Sequence, residues 1–394
     1  MSGADRKWLT VILALAFFAR VVTVFLFFAD YTPINDAAQW ERAARNFLNG
    51  YGLIVSEDLK AYRTPVPGLY IAAIYAVCGL SVRAVQVANI FLGVFTVWLV
   101  YDLVRRAFDV ISARWAAVFV AFYPLFLLYT GQLLSETPVL LLVALALWLI
   151  WLVHDRPALW FAPAGVVLGL AALTRETMLP IGILIALWTC IDRLSKRWPQ
   201  RMSPAVVILA FIGLTLTPWT IRNYMMTGKF IPLTSLGGGS LWVANNPLAD
   251  GTAKGLRSPQ IDALPESQRG VAYRKMAVQF IRENPGRFVQ LTLRRLQYFW
   301  HLTYHGEGLG EIAFLVVYLP MLSLAAIGVW AGWQLDRYAV LLLLTIPISL
   351  TVLHMIFLPT GRYRLPAELV VCMLAGVGAT RSFSEMLRYL RATP

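Results

Sequence analysis

The sequence predicts an all-α polytopic membrane protein, and three observations support this fold class. Of the 394 residues, 59% are hydrophobic and 14% are charged, against roughly a quarter charged in soluble domains. The hydrophobic residues fall into runs of about 20, the length that crosses the hydrocarbon core of a bilayer. The basic residues lie between these runs and not along one polar face. This distribution argues against nucleic acid as a partner, despite a formal charge of +13.

Hydrophobic runs predict a bundle of about ten transmembrane helices, the first retained after a basic start at Arg6 and Lys7. A shorter apolar stretch from Leu69 to Leu80 predicts a helix at the outer interface. We expect one domain over residues 1–394, with a first outer loop at 29–82 and a long outer loop or cap at 223–310. The predicted spans are 8–28, 83–104, 112–131, 137–154, 158–174, 178–191, 204–221, 312–333, 338–358 and 366–380.

The long outer loop becomes amphipathic between Pro265 and Trp300, where phenylalanines and leucines alternate with arginines. Such a segment lies on the membrane surface or forms a small helical cap packed on the spans. Both alternatives are open at this point. The three cysteines are isolated in apolar sequence, which excludes a C-x-x-C redox pair and a cysteine metal cluster.

Ten spans place both termini on the same side of the membrane, and the basic residues indicate which side. With both termini in the cytoplasm, the short basic connections lie inside, as the positive-inside rule requires. These connections carry Arg105, Arg106, Arg156, Arg337 and a basic run within 192–201. The candidate catalytic and binding residues then lie together on the outer face.

Two carboxylates at the outer membrane edge are candidate catalytic residues. Asp36 follows the first span, and Glu136 lies where the third span turns into the fourth. Such a pair can deprotonate a hydroxyl, orient it or hold a divalent cation. Each has a structural alternative, because Asp36 can cap a helix over residues 37–48 and Glu136 or Ser135 can begin the fourth span.

Arginines at the outer ends of helices are candidate ligands for the donor phosphate. A guanidinium matches a phosphate bidentately and stays charged, so a convergent set predicts an anionic phosphate ligand. A single arginine can instead snorkel or pair with a neighbouring acid. Arg175 is expected to pair with Glu176, the next residue in the chain. The candidates are Arg63, Arg175, Arg222, Arg362 and Arg364.

Three further residues are candidates for substrate binding. Tyr62 and Asn223 adjoin candidate arginines, and His354 lies near the outer end of the ninth span. An ionisable residue inside a membrane is a functional candidate, although His354 can also simply hydrogen-bond a neighbouring helix. The sequence has no G-x-x-x-x-G-K-[ST] loop, H-E-x-x-H motif or G-x-S-x-G elbow. We therefore expect an activated substrate supplied from the membrane and not a cytosolic nucleotide.

Several short motifs, in their order and common sidedness, resemble the GT-C superfamily of polyprenyl-phosphate-dependent glycosyltransferases. The chain is most similar to the bacterial branch that includes protein O-mannosyltransferases and lipid A aminoarabinose transferases. Relatives commonly have lysine where this chain has Arg63 and Arg175. The motifs are Asp36 in a long first outer loop, Arg63-Thr-Pro-Val-Pro-Gly68, Leu134-Ser-Glu-Thr-Pro138, Gly169-Leu-Ala-Ala-Leu-Thr-Arg175, Thr217-Pro-Trp-Thr-Ile-Arg-Asn223, and His354 with Arg362-Tyr-Arg-Leu-Pro366.

The resemblance implies an inverting glycosyltransferase that moves a hexosyl or pentosyl sugar from a polyprenyl phosphate to a lipid, glycan or protein acceptor. It places the active site on the periplasmic face of the bacterial inner membrane, in the cell envelope. Asp36 would act as general base, while Arg63, Arg175 and Arg222 stabilise the leaving polyprenyl phosphate. No cofactor is certain, and a divalent cation at Asp36 and Glu136 stays open. The alternative function is a lipid-linked-sugar transporter or flippase.

Overall fold

The computed structural model of the protein describes residues 2–192, 198–252, 256–301 and 309–392. Within these ranges the chain forms helices and no β-strand, so the predicted all-α fold is confirmed. The helices are α1 Gly3–Val22, α2 Asn35–Leu48, α3 Pro65–Cys78, α4 Val82–Ala107, α5 Val110–Phe122, α6 Pro124–Thr130, α7 Glu136–Val153, α8 Ala162–Thr174, α9 Met178–Asp192, α10 Trp198–Thr227, α11 Gly237–Ala244, α12 Pro259–Asp262, α13 Glu266–Glu283, α14 Pro285–Phe299, α15 Leu309–Leu335, α16 Arg337–Ile356 and α17 Leu365–Ala392.

Seven helices in the described part of the chain are long and apolar enough to cross a membrane, which makes this a multi-pass membrane protein. Helices α5 and α6 form an eighth span that bends by 50° at its break. The predicted ten spans are reached when the shorter apolar helices at Ala158–Thr174 and Met178–Ile191 are also counted. Residues 193–197 of the predicted basic run lie outside the described residues.

A buried arginine from α1 donates hydrogen bonds to the backbone at the bend between α5 and α6. Pro124 begins α6 and has no N–H group, so the carbonyl of Val120 lacks its usual helical donor. Arg20 is 1% exposed and donates to the carbonyl oxygens of Val120 at 3.4 Å and Ala121 at 3.1 Å. A carbonyl left unpaired in a membrane is costly, so this arginine stabilises the broken span.

Polar residues of α4 hold the connection that leads from α6 to α7. Buried Gln86 donates to the carbonyl of Gly131 at 2.7 Å. Buried Asn89 donates to the carbonyls of Thr130 at 3.2 Å and Gln132 at 3.0 Å. These bonds fix the segment immediately before Glu136, the first residue of α7.

Helices α15 and α17 approach each other closely at two glycines. A Cβ atom added to Gly328 would lie 1.8 Å from the carbonyl oxygen of Leu374, and one added to Gly378 would lie 1.9 Å from that of Leu324. Small residues allow such close backbone contact between membrane helices. This crossing anchors the C-terminal helix, and the turn just before that helix lines the site described below.

The described residues of the long loop after α10 form helices α11 to α14, and α14 packs against α16. Helices α11 and α13 share a small core that includes Trp242 and Tyr273. Arg295 of α14 is fully buried and donates to the carbonyls of Met355 at 2.8 Å and Ala244 at 2.6 Å. Burial lowers the pKa of Arg295 to about 10. This guanidinium ties α11 and α14 to the end of α16.

Candidate active site

A cavity of about 410 Å³ opens at one end of the bundle. Its walls come from α2, the segment before α3, the end of α8, the start of α9, the segment after α10, the end of α16 and the turn before α17. Because successive spans run in opposite directions, all these segments fall at the same end. The polar wall includes Asp36, Arg63, Arg175 and Arg362, and the apolar wall includes Leu179, Pro180, Leu233, Leu353, Phe357 and Leu358.

Five charged residues form a continuous ion-pair network at the polar end of the cavity: Arg63, Asp36, Arg362, Glu136 and Arg175. The two carboxylate oxygens of Asp36 accept hydrogen bonds from Arg63 and Arg362. Arg362 Nε lies 3.8 Å from Glu136 Oε1, and Arg175 donates to the same oxygen at 2.6 Å. The network therefore alternates guanidinium and carboxylate groups that come from five separate segments of the chain.

Asp36 lies in the first turn of α2, but its side chain does not cap that helix. The N-cap position is Ile34, which makes no side-chain capping bond, and Asp36 turns to the arginines instead. Burial raises the pKa of Asp36, and the guanidinium groups of Arg362 and Arg63 outweigh this effect and hold its pKa below the ordinary value. Asp36 is therefore an ionised carboxylate and a weak base in this state.

Arg63 is oriented by two side chains of α2 in addition to Asp36. Its Nε donates to Gln39 Oε1 at 2.7 Å, and its guanidinium lies 5.2 Å from the centre of the Trp40 ring. The next residue, Thr64, donates to the carbonyl of Thr174 at 2.9 Å. That bond joins the segment carrying Arg63 to the end of α8, one residue before Arg175.

Arg175 pairs with Glu136 and not, as expected from the sequence, with Glu176. The carboxylate of Glu136 is fully buried and meets Arg175 at 2.6 Å, whereas Glu176 Oε2 accepts a bond from Thr234 at 2.7 Å. Consecutive residues at a helix end point in different directions, so adjacent opposite charges often find other partners. The ring of Tyr363 lies 4.8 Å from the Arg175 guanidinium and completes this wall.

The structure gives Arg222 and Asn223 a different place from the one predicted. Neither residue lines the cavity. Arg222 donates to the carbonyls of Lys60 at 2.5 Å and Leu53 at 2.9 Å, and buried Asn223 donates to the carbonyl of Ile231 at 3.0 Å. Both side chains hold the loops that form the cavity.

Arg364 and Tyr62 also lie outside the cavity lining. Arg364 is buried, pairs with Glu368 at 2.7 Å and donates to the carbonyl of Phe299 at 2.7 Å. The ring of Tyr62 lies 5.3 Å from the Arg63 guanidinium. Arg364 thus anchors the start of α17, and Tyr62 contacts the site through Arg63.

His354 lines the cavity and is 1% exposed. Its ring meets Phe299 edge to face at 5.0 Å and Tyr363 at 5.3 Å between centroids. In the described part of the chain neither ring nitrogen has a hydrogen-bond partner. The expected bond to a neighbouring helix is therefore not formed there.

Sequence reasoning missed Glu266, a buried carboxylate of α13 that holds the first outer loop. It accepts bonds from the backbone N–H groups of Lys60 at 2.6 Å and Ala61 at 3.1 Å, and from Ser235 Oγ at 2.7 Å. These contacts fix the segment just before Arg63. A single acid on a polar helix gives no signal in the sequence that distinguishes it from a solvated residue.

Comparison with known families gives one partial match. The profile described as dolichyl-phosphate-mannose-protein mannosyltransferase matches residues 62–221. No curated protein sequence matches the chain. The profile covers Arg63, Glu136 and Arg175, and it leaves Asp36, Arg222 and the C-terminal part of the chain outside.

Solved structures share the fold at low sequence identity. The apo oligosaccharyltransferase of Archaeoglobus fulgidus has a TM-score of 0.63 at 15% identity, over 99% of this chain and 52% of that one. The Archaeoglobus fulgidus oligosaccharyltransferase AglB with an inhibitory peptide and a dolichol-phosphate has the same score and coverage at 14% identity. Apo ArnT from Cupriavidus metallidurans has a TM-score of 0.61 at 14% identity, over 98% of this chain and 62% of that one.

The profile match to part of the chain agrees with the resemblance, and at these identities the solved structures show the fold. The chain spans about half the length of the oligosaccharyltransferase chains that it matches.

Proposed function

We propose that this chain, which has the GT-C fold, is an inverting glycosyltransferase that moves a hexosyl or pentosyl sugar from a polyprenyl phosphate to a lipid, glycan or protein acceptor. The observation that carries the proposal is the ion-pair network at the polar end of a cavity whose other walls are apolar. A lipid phosphate has the same division into an anionic group and an apolar chain. The basic connections favour the periplasmic face of a bacterial inner membrane for this end of the bundle.

The charge of the network fits a phosphodiester. Three guanidinium groups face two carboxylates, Asp36 and Glu136, which leaves one positive charge in excess. A polyprenyl phosphate sugar carries one negative charge on its phosphodiester, and the leaving phosphate monoester gains a second. Arginines already placed around that group would stabilise the developing charge. The complex of AglB with a dolichol-phosphate and the family name of the matching profile support a lipid phosphate as donor.

Donor binding would also change the state of Asp36. A phosphate that binds Arg63 and Arg362 competes with Asp36 for the same N–H groups. Once these arginines turn to the phosphate, the carboxylate loses the contacts that lower its pKa and becomes a stronger base. The order of events is therefore donor first, then activation of the acceptor.

The chemical step then follows with one base. Asp36 takes the proton of an acceptor hydroxyl or amine, and the acceptor atom attacks the anomeric carbon of the sugar. The bond between that carbon and the phosphate oxygen breaks, and its electron pair passes to the phosphate, which Arg63, Arg175 and Arg362 stabilise. Glu136 is a positioning residue, because its buried carboxylate holds Arg175 and Arg362.

The carboxylates do not fit a divalent cation in this arrangement. Both oxygens of Asp36 and Oε1 of Glu136 already accept bonds from arginines. Across the described residues no group of three or more His, Cys, Asp or Glu side chains is positioned to hold a metal. A separate structure of the Archaeoglobus fulgidus oligosaccharyltransferase contains Zn and sulfate. No step of the proposed reaction here is routed through a metal.

The test is a turnover assay with the purified full chain in lipid nanodiscs. A panel of polyprenyl phosphate hexoses and pentoses is incubated with an envelope extract, and free polyprenyl phosphate and labelled acceptor are measured. We expect one donor to release its lipid phosphate in step with transfer of the sugar. In proteoliposomes, movement of an intact donor across the bilayer without release of the sugar would contradict the proposal and support the transporter alternative.

A further inference from the structure

We propose that His354 binds the sugar of the lipid-linked donor through its two ring nitrogens. The proposal rests on the proposed transferase function and adds to it a residue that determines donor specificity. One nitrogen would donate to a sugar oxygen, and the other would accept from a sugar hydroxyl. The residue would thereby distinguish a sugar-bearing lipid phosphate from a bare one.

His354 lies in the wall of the cavity and has no hydrogen-bond partner among the described residues. Most buried polar side chains have a hydrogen-bond partner, and each exception needs an explanation. His354 is 1% exposed, yet in the described part of the chain neither Nδ1 nor Nε2 is bonded. Both nitrogens are covered by neighbouring side chains in this structure. Because the residue lines the cavity, a polar ligand that displaces these side chains can supply the missing partners.

The surroundings of the imidazole ring determine its charge. The imidazole packs edge to face against Phe299 at 5.0 Å and Tyr363 at 5.3 Å. The ring of Tyr363 in turn lies 4.8 Å from the Arg175 guanidinium. Aromatic surroundings with a fixed cation close by favour the uncharged imidazole. A neutral imidazole offers one N–H donor and one lone-pair acceptor.

The three parts of the donor differ in whether they can form hydrogen bonds with the His354 ring. The isoprenoid chain has no hydrogen-bonding group, and the apolar residues Leu353 and Phe357 on the same wall suit it. A phosphodiester has acceptors and no donor, so it can satisfy one ring nitrogen and not the other. A sugar hydroxyl is both donor and acceptor. The sugar is therefore the part of the donor that can satisfy both nitrogens.

The experiment compares two ligands on three variants of the full chain in nanodiscs. His354→Leu and His354→Phe remove both hydrogen bonds, and His354→Gln keeps one donor and one acceptor. The dissociation constants are measured for sugar-free polyprenyl phosphate and for a panel of polyprenyl phosphate sugars, without acceptor. Thermal unfolding of each variant reports its fold, and the phenylalanine variant preserves an aromatic ring if the leucine variant does not fold.

We expect the leucine and phenylalanine variants to bind the preferred sugar-bearing donor at least 10-fold more weakly and the sugar-free lipid within twofold of the wild type. The glutamine variant should recover part of the loss. Equal weakening for both lipids would place His354 at the phosphate, and unchanged binding of both would leave it as a packing residue; either result overturns the proposal. Failure of the proposed function shows separately in the turnover assay, as a wild-type chain that releases no polyprenyl phosphate from any donor.

Discussion

Two regions of the molecule place a carboxylate between two arginines, and they differ in where the arginines come from. Asp102 of α4 accepts bonds from Arg105 at 2.6 Å and Arg106 at 2.5 Å, which lie one turn further along the same helix. Asp36 meets Arg63 and Arg362, which lie in different parts of the sequence. The Asp102 group does not line the 410 Å³ cavity, whereas Asp36, Arg63 and Arg362 do.

The comparison shows that paired charges alone do not indicate a site. The Asp102 group also accepts the indole N–H of Trp148 at 2.9 Å, so it joins α4 to α7 at a helix end rich in basic residues. The Asp36 group brings together distant segments around a space that a ligand can enter. Long sequence separation and an adjacent cavity distinguish a candidate site from a local ion pair.

The largest expected effect separates the two aspartates. Asp36→Asn should lower turnover by about 100-fold or more, because a general base commonly contributes 10²–10⁴-fold. Asp102→Asn is the matched control and should keep turnover within about threefold, because Asp102 does not line the cavity. Release of polyprenyl phosphate is measured for both, with thermal unfolding as a check of the fold. Normal turnover by the Asp36 variant would remove it as the base.

The next effect separates the arginines that pair with these aspartates. Arg362→Gln should weaken the binding of polyprenyl phosphate by roughly 10-fold or more, since a hydrogen bond to a charged group is worth about 1.5–3 kcal/mol. Arg106→Gln should leave this binding unchanged within about twofold, because Arg106 does not line the cavity. Equilibrium binding in nanodiscs measures both. Similar losses of binding for the two variants would indicate general electrostatic attraction and not a specific phosphate-binding site.

A smaller and different effect is expected for Arg222. Its guanidinium holds the carbonyls of Lys60 and Leu53, so Arg222→Ala should lower the midpoint of thermal unfolding and loosen the segment that carries Arg63. Binding of polyprenyl phosphate should fall less than in Arg362→Gln. A loss of binding equal to that of the Arg362 variant, with unchanged thermal stability, would return Arg222 to the phosphate site.

The smallest effect is a pH dependence of stability. The pKa of folded Asp36 is lowered, so its ion pairs stabilise the fold above its unfolded pKa of about 3.9. This contribution is lost as the pH falls through the lowered folded value. The difference in unfolding midpoint between wild type and Asp36→Asn should be constant from pH 5.5 to 8 and should shrink in acid. A difference that changes between pH 6 and 8 would contradict the pairing.

Hydropathy predicts most of the fold, because each span needs about 20 apolar residues whatever its neighbours are. The bounds of the predicted spans agree with the helices to within about six residues, except that α17 continues to Ala392, beyond the predicted end at 380. Hydropathy alone does not predict the break in the third span. It gives residues 112–131 as one continuous span, whereas the structure breaks this span before Pro124. The proline was a visible signal for that break.

The sequence predicts how deep in the membrane each candidate residue lies, but not its lateral position in the helix bundle. Sequence places Arg175, Arg222, Arg362 and Arg364 at the same membrane edge, because hydropathy and alternation fix depth and side. Lateral position depends on helix packing, and packing brings Arg175 and Arg362 to the cavity while the other two meet carbonyls and Glu368. The unsatisfied state of His354 is likewise a property of the folded neighbourhood.

The most direct test of the account is the structure of the full chain in a nanodisc with bound polyprenyl phosphate. We predict that the phosphate lies within hydrogen-bond distance of Arg63 and Arg362, with its first isoprene units against Leu353 and Phe357 and with Asp36 released from at least one arginine. A phosphate bound elsewhere, with Asp36 still held by both arginines, would contradict the account.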